Sequence, residues 1–317
     1  MLRTAVLLVL ALVVLPVVAL RRDVPLESLQ WAMLREGIVL ALAFAAYAFI
    51  ASELTRNYSQ VDRLWSIVPA VFSWYFAARS GWQPRLVVMA SLATIWAARL
   101  TFNFWRRGGF SWPPWRGVED YRWEHVRSMP GFQNRHVWRL FNFGFISVYQ
   151  LLLLLLITVP SVVAAGSGHA TFNRWDVLTA ALFLTFVALE TAADQQQYAF
   201  QTEKYRRKAS GEPLIGDYAL GFRTTGLFAL ARRPNFAAEQ AIWIAYYGFS
   251  VAATGRWLNW SAIGALLLML LFQGSVDLTE RLTASKYPAY ADYQRRVPLF
   301  LPRPWRRRVS SADALGR

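Results

Sequence analysis

The chain contains no cysteine, which removes disulfide frameworks and thiolate metal sites from consideration. Histidine is nearly as scarce. His125, His136 and His169 are the whole supply, too few for the histidine-rich boxes of a membrane di-iron oxygenase, and their spacing does not suggest a haem-ligating pair. Acidic residues are also under-represented: 19 Asp and Glu face 34 Lys and Arg, a formal charge of +15. No glycine-rich dinucleotide fingerprint, phosphate-cradling loop, nucleophile elbow or zinc motif occurs. What the chain does have is apolar sequence. Over 317 residues, 56% are hydrophobic, the composition of a polytopic membrane protein.

A spanning helix needs about 20 apolar residues. Eight segments qualify as candidates: 4–20, 34–54, 66–80, 84–103, 141–164, 176–200, 236–254 and 259–277. The fold expected is therefore all-α, a polytopic transmembrane helical bundle of about 7–8 spans. Its expected organisation is an extra N-terminal span (1–30), transmembrane helices with a basic loop (31–140), a C-terminal transmembrane domain (141–308) and a tail (309–317). Segment 4–20 lacks a convincing cleavage site and reads as a retained span rather than a signal peptide.

The basic residues gather in three segments. Residues 99–139 hold eight arginines, residues 201–235 seven basic residues, and the stretch from Glu280 to Arg308 eight more. They follow spans four, six and eight, so they share one side, and the positive-inside rule makes that side, with the C-terminus, cytoplasmic. This distribution encodes orientation in a bacterial inner membrane or endoplasmic reticulum, and it argues against nucleic acid as partner. Arg21, Arg22 and Arg35 fall on the outer side, balanced by Asp23, Glu27 and Glu36. Trp82, Trp175, Trp257 and Trp260 are expected at the outer interface, and Trp65, Trp105 and Trp112 at the inner one.

Several polar residues stand where lipid makes them costly. Glu190 and Asp194 are four apart and share a helix face near the end of span six. Two carboxylates this close repel unless a cation bridges them or one holds a proton. They read as a polar wall contacting a ligand, or else as a helix end reaching the headgroups. In 231-ARRPNFAAE-239, Pro234 suits a helix start, and Arg232 and Arg233 precede it. Asn235 and Glu239 again share a face. A helix N-terminus beside arginines suits a phosphate; the alternative is membrane anchoring plus a cap by Asn235, which leaves Glu239 unexplained. Tyr287, Tyr290 and Tyr293 recur at threes, with Arg295 and Arg296 beyond, either as a lid over a nucleotide or as a surface-lying amphipathic helix. Asp62 opens span three as a helix cap or a catalytic acid, and the loop carrying Glu119, Asp120, Tyr121 and Arg122 lies on the same side. Asp62 and Glu190 are the candidate catalytic carboxylates.

These residues carry a resemblance. Arg232, Arg233, Pro234, Asn235, Phe236, Ala237, Ala238 and Glu239 are similar to the R-H-P-N-Y-x-G-E signature of the steroid 5-alpha-reductase C-terminal superfamily. Ala193, Asp194, Gln196 and Phe200 resemble the A-D-x-Q-x-x-x-F pattern of its DUF1295 branch, and 287-YPAYADYQRR-296, preceded by Glu280, resembles that branch's tail. The resemblance is strong over 190–300, weaker over 61–139, and leaves out span one. It implies a steroid-reductase-like membrane enzyme that takes NADPH from the cytoplasm and reduces an activated carbon–carbon double bond in a sterol or other lipid. By position, Asp194, Asn235 and Glu239 would hold the cofactor, with Arg232, Arg233, Tyr290 and Tyr293 as further contacts. The proton donor would come from spans two to four, with Asp62 as candidate. Arg233 replaces the signature's histidine and Ala238 its glycine, which alters proton switching and close approach at those positions. A membrane methyltransferase using S-adenosylmethionine and a non-enzymatic lipid-binding or transport protein are the rival readings. The first usually carries another residue where Asn235 stands, and the inverted repeats that would favour the second are absent.

Overall fold

The protein is described by a computed structural model covering residues 2–113, 117–166 and 171–302. His169, Arg116, the basic tail from Arg303 onward and the segment 309–317 lie outside the described residues. Among the described residues the structure is helical throughout, with no strand.

The chain divides into two compact units. Met1–Val187 with Gln240–Ser275 form the first, and Ala188–Glu239 with Val276–Arg317 the second.

Among the described residues, six helical stretches are long and apolar enough to cross a membrane: Ala5–Arg22, Ser28–Thr55, Pro84–Trp105, Arg135–Ala164, Arg174–Ser210 and Ala262–Lys286. They account for six of the eight candidate segments. The third segment is cut differently. It holds only α4 (Val68–Arg79), with the separate α3 (Gln60–Trp65) just before it. Twelve residues of α4 span about 18 Å, short of the roughly 30 Å hydrocarbon core. Pro69 starts that helix. Gly81 and Trp82, both at positive φ, turn the chain into α5 (Pro84–Trp105). The seventh segment forms α12 (Pro234–Thr254), 21 residues long. Its length suffices, but Asn235, Glu239 and Gln240 dilute its apolar character.

Local signals set the helix starts. Glu27 and Gln30 make a reciprocal capping box at α2 (Ser28–Thr55), with the Glu27 amide donating to Gln30 Oε1 at 2.9 Å. Asp120 caps α6 (Tyr121–Ser128), and Asn134 caps α7 (Arg135–Phe141). Arg56, at φ 54°, closes α2 in the left-handed region.

The stretch Arg135–Ala164 is the centre of the first unit. It is α7, a π-helical turn over Asn142–Tyr149, α8 (Gln150–Thr158) and α9 (Pro160–Ala164). Its most apolar window is 83% buried, against 11% for that of α1 (Leu2–Arg22). A helix apolar all round belongs inside a bundle, and the leucine run of α8 fits that rule. Gly37 of α2 faces Leu155 and Phe76, where a Cβ would come within 2.9 Å, so glycine lets these helices close. Trp96 and Trp243 meet edge-to-face at 4.9 Å, and the Tyr246 hydroxyl bonds to Ser73 and Ser161 at 2.9 and 2.7 Å. Arg85 and Asp176, both fully buried, form a bidentate pair at 2.7 and 2.8 Å, and Arg85 also donates to the Thr171 carbonyl. Asp23 pairs with Arg256 and accepts from the Trp260 amide at 2.6 Å. Trp260 is consequently 4% exposed, a core residue rather than the interface marker expected, whereas Trp82, Trp175 and Trp257 stay exposed.

In the second unit, α10 (Arg174–Ser210) contributes its C-terminal half, followed by α11 (Asp217–Leu220), a 3-10 turn (Gly226–Ala229), the start of α12, the end of α13 (Ala262–Lys286) and α14 (Tyr290–Arg296). The 37 residues of α10 measure about 55 Å, well beyond the hydrocarbon thickness.

Candidate functional site

Along α10, Glu190 lies about 24 Å and Asp194 about 30 Å from Arg174, inside and at the edge of a hydrocarbon layer counted from that end. Neither side chain faces outward: Glu190 is 6% exposed and Asp194 5%. On α12, Glu239 is also 6% exposed. Asn235 donates its side-chain amide to Asp194 Oδ1 at 3.2 Å. That contact joins the polar face of α10 to the polar face of α12. Consecutive spans run in opposite directions, so one turn back along α10 and one turn on along α12 lead to the same depth. Glu190 and Glu239 therefore share a level, one turn below the Asp194–Asn235 contact.

The approach to α12 is held by Glu280 of α13. Its carboxylate takes Arg232 Nε and Arg233 Nε, each at 2.9 Å. It also accepts from the Tyr290 hydroxyl at 2.6 Å and from Gln294 at 3.1 Å. Arg232 donates further to the carbonyls of Gln294 and Val297. The amides of Arg232 and Arg233 donate to the carbonyls of Pro298 and Leu299, which ties the segment after α14 to the start of α12. Two guanidinium groups against one carboxylate leave a net positive charge beside the α12 N-terminus.

The tyrosines are not a lid. Tyr290 and Tyr293 are 3% and 6% exposed and pack with Phe222, with Tyr287 against the same cluster. The Tyr293 hydroxyl donates to the Phe228 carbonyl at 2.5 Å. Both phenols are thus engaged by the protein, and burial pushes their ionisation above the usual range. The surface-lying amphipathic helix also fails to describe them, because their rings turn inward.

Gln196, part of the sequence pattern around Asp194, docks the 3-10 turn. Its Oε1 accepts from the Leu227 amide at 3.0 Å, and its backbone carbonyl accepts from Arg223. Gly226, at φ 66°, would bring a Cβ within 2.5 Å of Gln196 Oε1, so glycine is needed there. Phe200 stacks on Tyr218 at 5.3 Å.

Asp62 belongs to the first unit. Its carboxylate accepts from Trp123 Nε1 at 2.9 Å. Beside it, Asp120 takes the Arg122 guanidinium in a bidentate pair at 2.9 Å and caps α6. Ser59 Oγ accepts from the Asp120 amide, Asn57 donates to the Gly117 carbonyl, and Glu119 accepts from the Tyr58 amide at 2.5 Å. These bonds clasp 57–66 to the 117–123 loop. Burial pushes the Asp62 carboxyl above its usual value, and the negative charge of Asp120 adds to that. Burial acts on Asp120 in the same direction, but the charge and hydrogen bonds of Arg122 outweigh it and hold Asp120 below the usual range. Glu119 is pushed up, chiefly by burial. One arginine is thus shared unevenly, and the acid that retains its proton more readily is Asp62.

The structure therefore brings together Asp194 and Asn235 directly, puts Glu190 and Glu239 on the same two helix faces, and links Arg232, Arg233 and Tyr290 through Glu280. The role of Glu280 as hub was visible in the sequence only as a residue preceding the tail pattern. Among the described residues, no group of three His, Cys, Asp or Glu side chains is arranged to hold a metal ion.

A family model described as "Protein of unknown function (DUF1295)" matches residues 48–297. An uncharacterized protein of Schizosaccharomyces pombe, C594.04c, is 39% identical over 284 residues, covering 84% of this chain and 79% of the relative. No solved structure matches.

Proposed function

The chain belongs to the DUF1295 family, and we propose that it is a membrane reductase that uses NADPH to saturate an activated carbon–carbon double bond in a lipid. The observation that carries this reading is the Asp194–Asn235 contact between two helix faces that also bear buried Glu190 and Glu239. Carboxylates and an amide kept from lipid at this depth suit hydroxyl and carboxamide groups of a ligand. The net positive charge of Arg232 and Arg233 against Glu280, beside the start of α12, suits phosphate. Both features support a dinucleotide as the ligand.

NADPH, when bound, supplies the hydride, which adds to the β carbon of the double bond. The α carbon takes a proton, so the product gains two hydrogens. Asp194, Asn235 and Glu239 orient the cofactor, and Glu190 lines the same wall. Asp62, in the first unit, is the candidate proton donor of this proposal, since burial raises its pKa, the direction that suits a general acid.

The test is calorimetric titration of the purified protein with NADPH and, separately, with S-adenosylmethionine. NADPH binding that weakens at least about tenfold in Asn235→Ala and Glu239→Gln supports the reading. Heat from S-adenosylmethionine alone would instead assign a methyltransferase, and silence toward both would leave a lipid-binding protein. Lipid mass spectrometry of a deletion strain then identifies the substrate as the species lacking two hydrogens that accumulates.

A further inference from the structure

The second unit holds a second group of cations that the reading above does not use. Lys204, on α10, is 3% exposed. Its ammonium lies 5.3 Å from the ring centroids of both Phe200 and Tyr205 and 5.9 Å from that of Tyr287. It donates to one acceptor, the Gly221 carbonyl, at 3.1 Å. Gly221 sits at φ 84°, and a side chain there would overlap the Tyr287 ring, so the loop is drawn in close by a glycine. An ammonium has three protons to donate and is normally paired when buried. Here two remain, and among the described residues no carboxylate is paired with it. The charges that Lys204 feels are those of Lys208 and Lys286. Lys208 is one turn on along the same helix face, and Lys286 lies 5.6 Å from the opposite partner in the cage, the Tyr287 ring. The nearby acids are committed elsewhere: Glu203 to Arg206 and Arg207, and Glu212 to Arg206.

Lys204 and Lys286 flank the Tyr287 ring, Lys208 follows one turn after Lys204, and the like charges of Lys208 and Lys286 act against that of Lys204. Ring faces offset part of the burial of Lys204 but do nothing for that repulsion. A dianion within reach of all three ammonium groups removes it, and a phosphate monoester offers two negative charges and acceptors for the remaining donors. We propose that Lys204, Lys208 and Lys286 form a phosphate-monoester site. The monoester has two possible sources, the extra phosphate that distinguishes NADPH from NADH or the headgroup of a phosphatidic-acid-type lipid. The nucleotide source rests on the dinucleotide reading above; the site itself does not.

The experiment uses the full chain in neutral phosphatidylcholine nanodiscs, with and without phosphatidic acid. The key variant is Lys208→Gln with Lys286→Gln, both exposed positions that leave the caged Lys204 intact. If the phosphate is the cofactor's, NADPH binds about tenfold or more tightly than NADH, and the double variant loses that preference while NADH affinity stays the same. If it is the lipid's, the two dinucleotides bind alike, while phosphatidic acid raises the unfolding temperature of the parent and not of the variant. The site is overturned if neither the NADPH preference nor the phosphatidic acid effect depends on the two lysines. Failure of both dinucleotides to bind overturns the reductase reading, and the phosphatidic acid arm then decides the lysine site alone.

Discussion

The two units treat charge differently. In the first, three buried or half-buried arginines meet a carboxylate each, Arg85 with Asp176, Arg122 with Asp120 and Arg256 with Asp23, while the buried Arg63 is held by the Gly109 carbonyl and Gln60. In the second, Glu280 alone serves Arg232 and Arg233, and Lys204 has two lysines for neighbours. Matched charges lock helices together and ask nothing of a ligand. An excess of one sign, kept away from water, is tolerated where something else supplies the other sign. By that criterion the proposed function places its phosphorylated ligand against the second unit and its acid, Asp62, in the first.

The comparison is easiest to break at its strongest point. Arg85→Ala should destabilise the protein by about 3–5 kcal/mol, because Asp176 is left charged and buried. Pairing Arg85→Met with Asp176→Leu should restore most of that loss, as read from thermal unfolding in detergent. Equal damage from the double variant would mean that the pair is more than a lock. Next in size is Glu280→Gln. Losing the carboxylate that holds two arginines and the Tyr290 hydroxyl should lower stability by about 2–3 kcal/mol. If the second unit is poised for phosphate, added NADPH should recover part of that loss; no recovery would make the arginines structural only.

A smaller and pH-dependent contrast concerns Asp62 and Asp120. Folding raises the Asp62 pKa above its usual 3.8. The folded chain then holds the proton more tightly, so Asp62 costs stability as pH rises from that usual value through the raised one. Asp62→Asn should accordingly be neutral, or stabilising by about 1 kcal/mol, at pH 7, and without effect well below pH 4, while abolishing reduction. Folding lowers the pKa of Asp120, so its stabilisation is present above about 3.8 and lost as pH falls through the depressed value. Asp120→Asn should cost about 1 kcal/mol at pH 7 and nothing at strongly acid pH. Denaturation curves at pH 7 and pH 3 check both signs. The smallest effect expected is that of Tyr293→Phe, about 1 kcal/mol for one hydrogen bond to the Phe228 carbonyl, with cofactor affinity unchanged.

Much of the helical frame was legible because lipid demands it. Long apolar runs between basic loops have few alternatives to spanning helices, and six of the eight segments meet that standard. The short helix within 66–80 was harder to read, since Pro69 starts a helix as readily as it interrupts one and the stop after Arg79 depends on a backbone turn at Gly81 and Trp82. At the site, four-residue spacing located the Glu190–Asp194 and Asn235–Glu239 faces, and the Asp194–Asn235 bond joins them. The tyrosine spacing gave the right neighbours but the wrong direction. Phe222, far away in sequence, draws Tyr290 and Tyr293 inward, and no periodicity within the tail encodes that. Lys204 was illegible for a similar reason: its cage takes Phe200 and Tyr205 from its own helix but Tyr287 and the Gly221 carbonyl from distant segments.

The Arg85–Asp176 bond also has a bearing on how the chain is made. Arg85 leaves the ribosome 91 residues ahead of Asp176, so the helix that it opens enters the membrane before that carboxylate is made. That helix cannot settle into its final place until the later one arrives. The order of synthesis thereby imposes a waiting period, during which the early helices must be sheltered by the insertion machinery or held at the aqueous boundary by that same arginine.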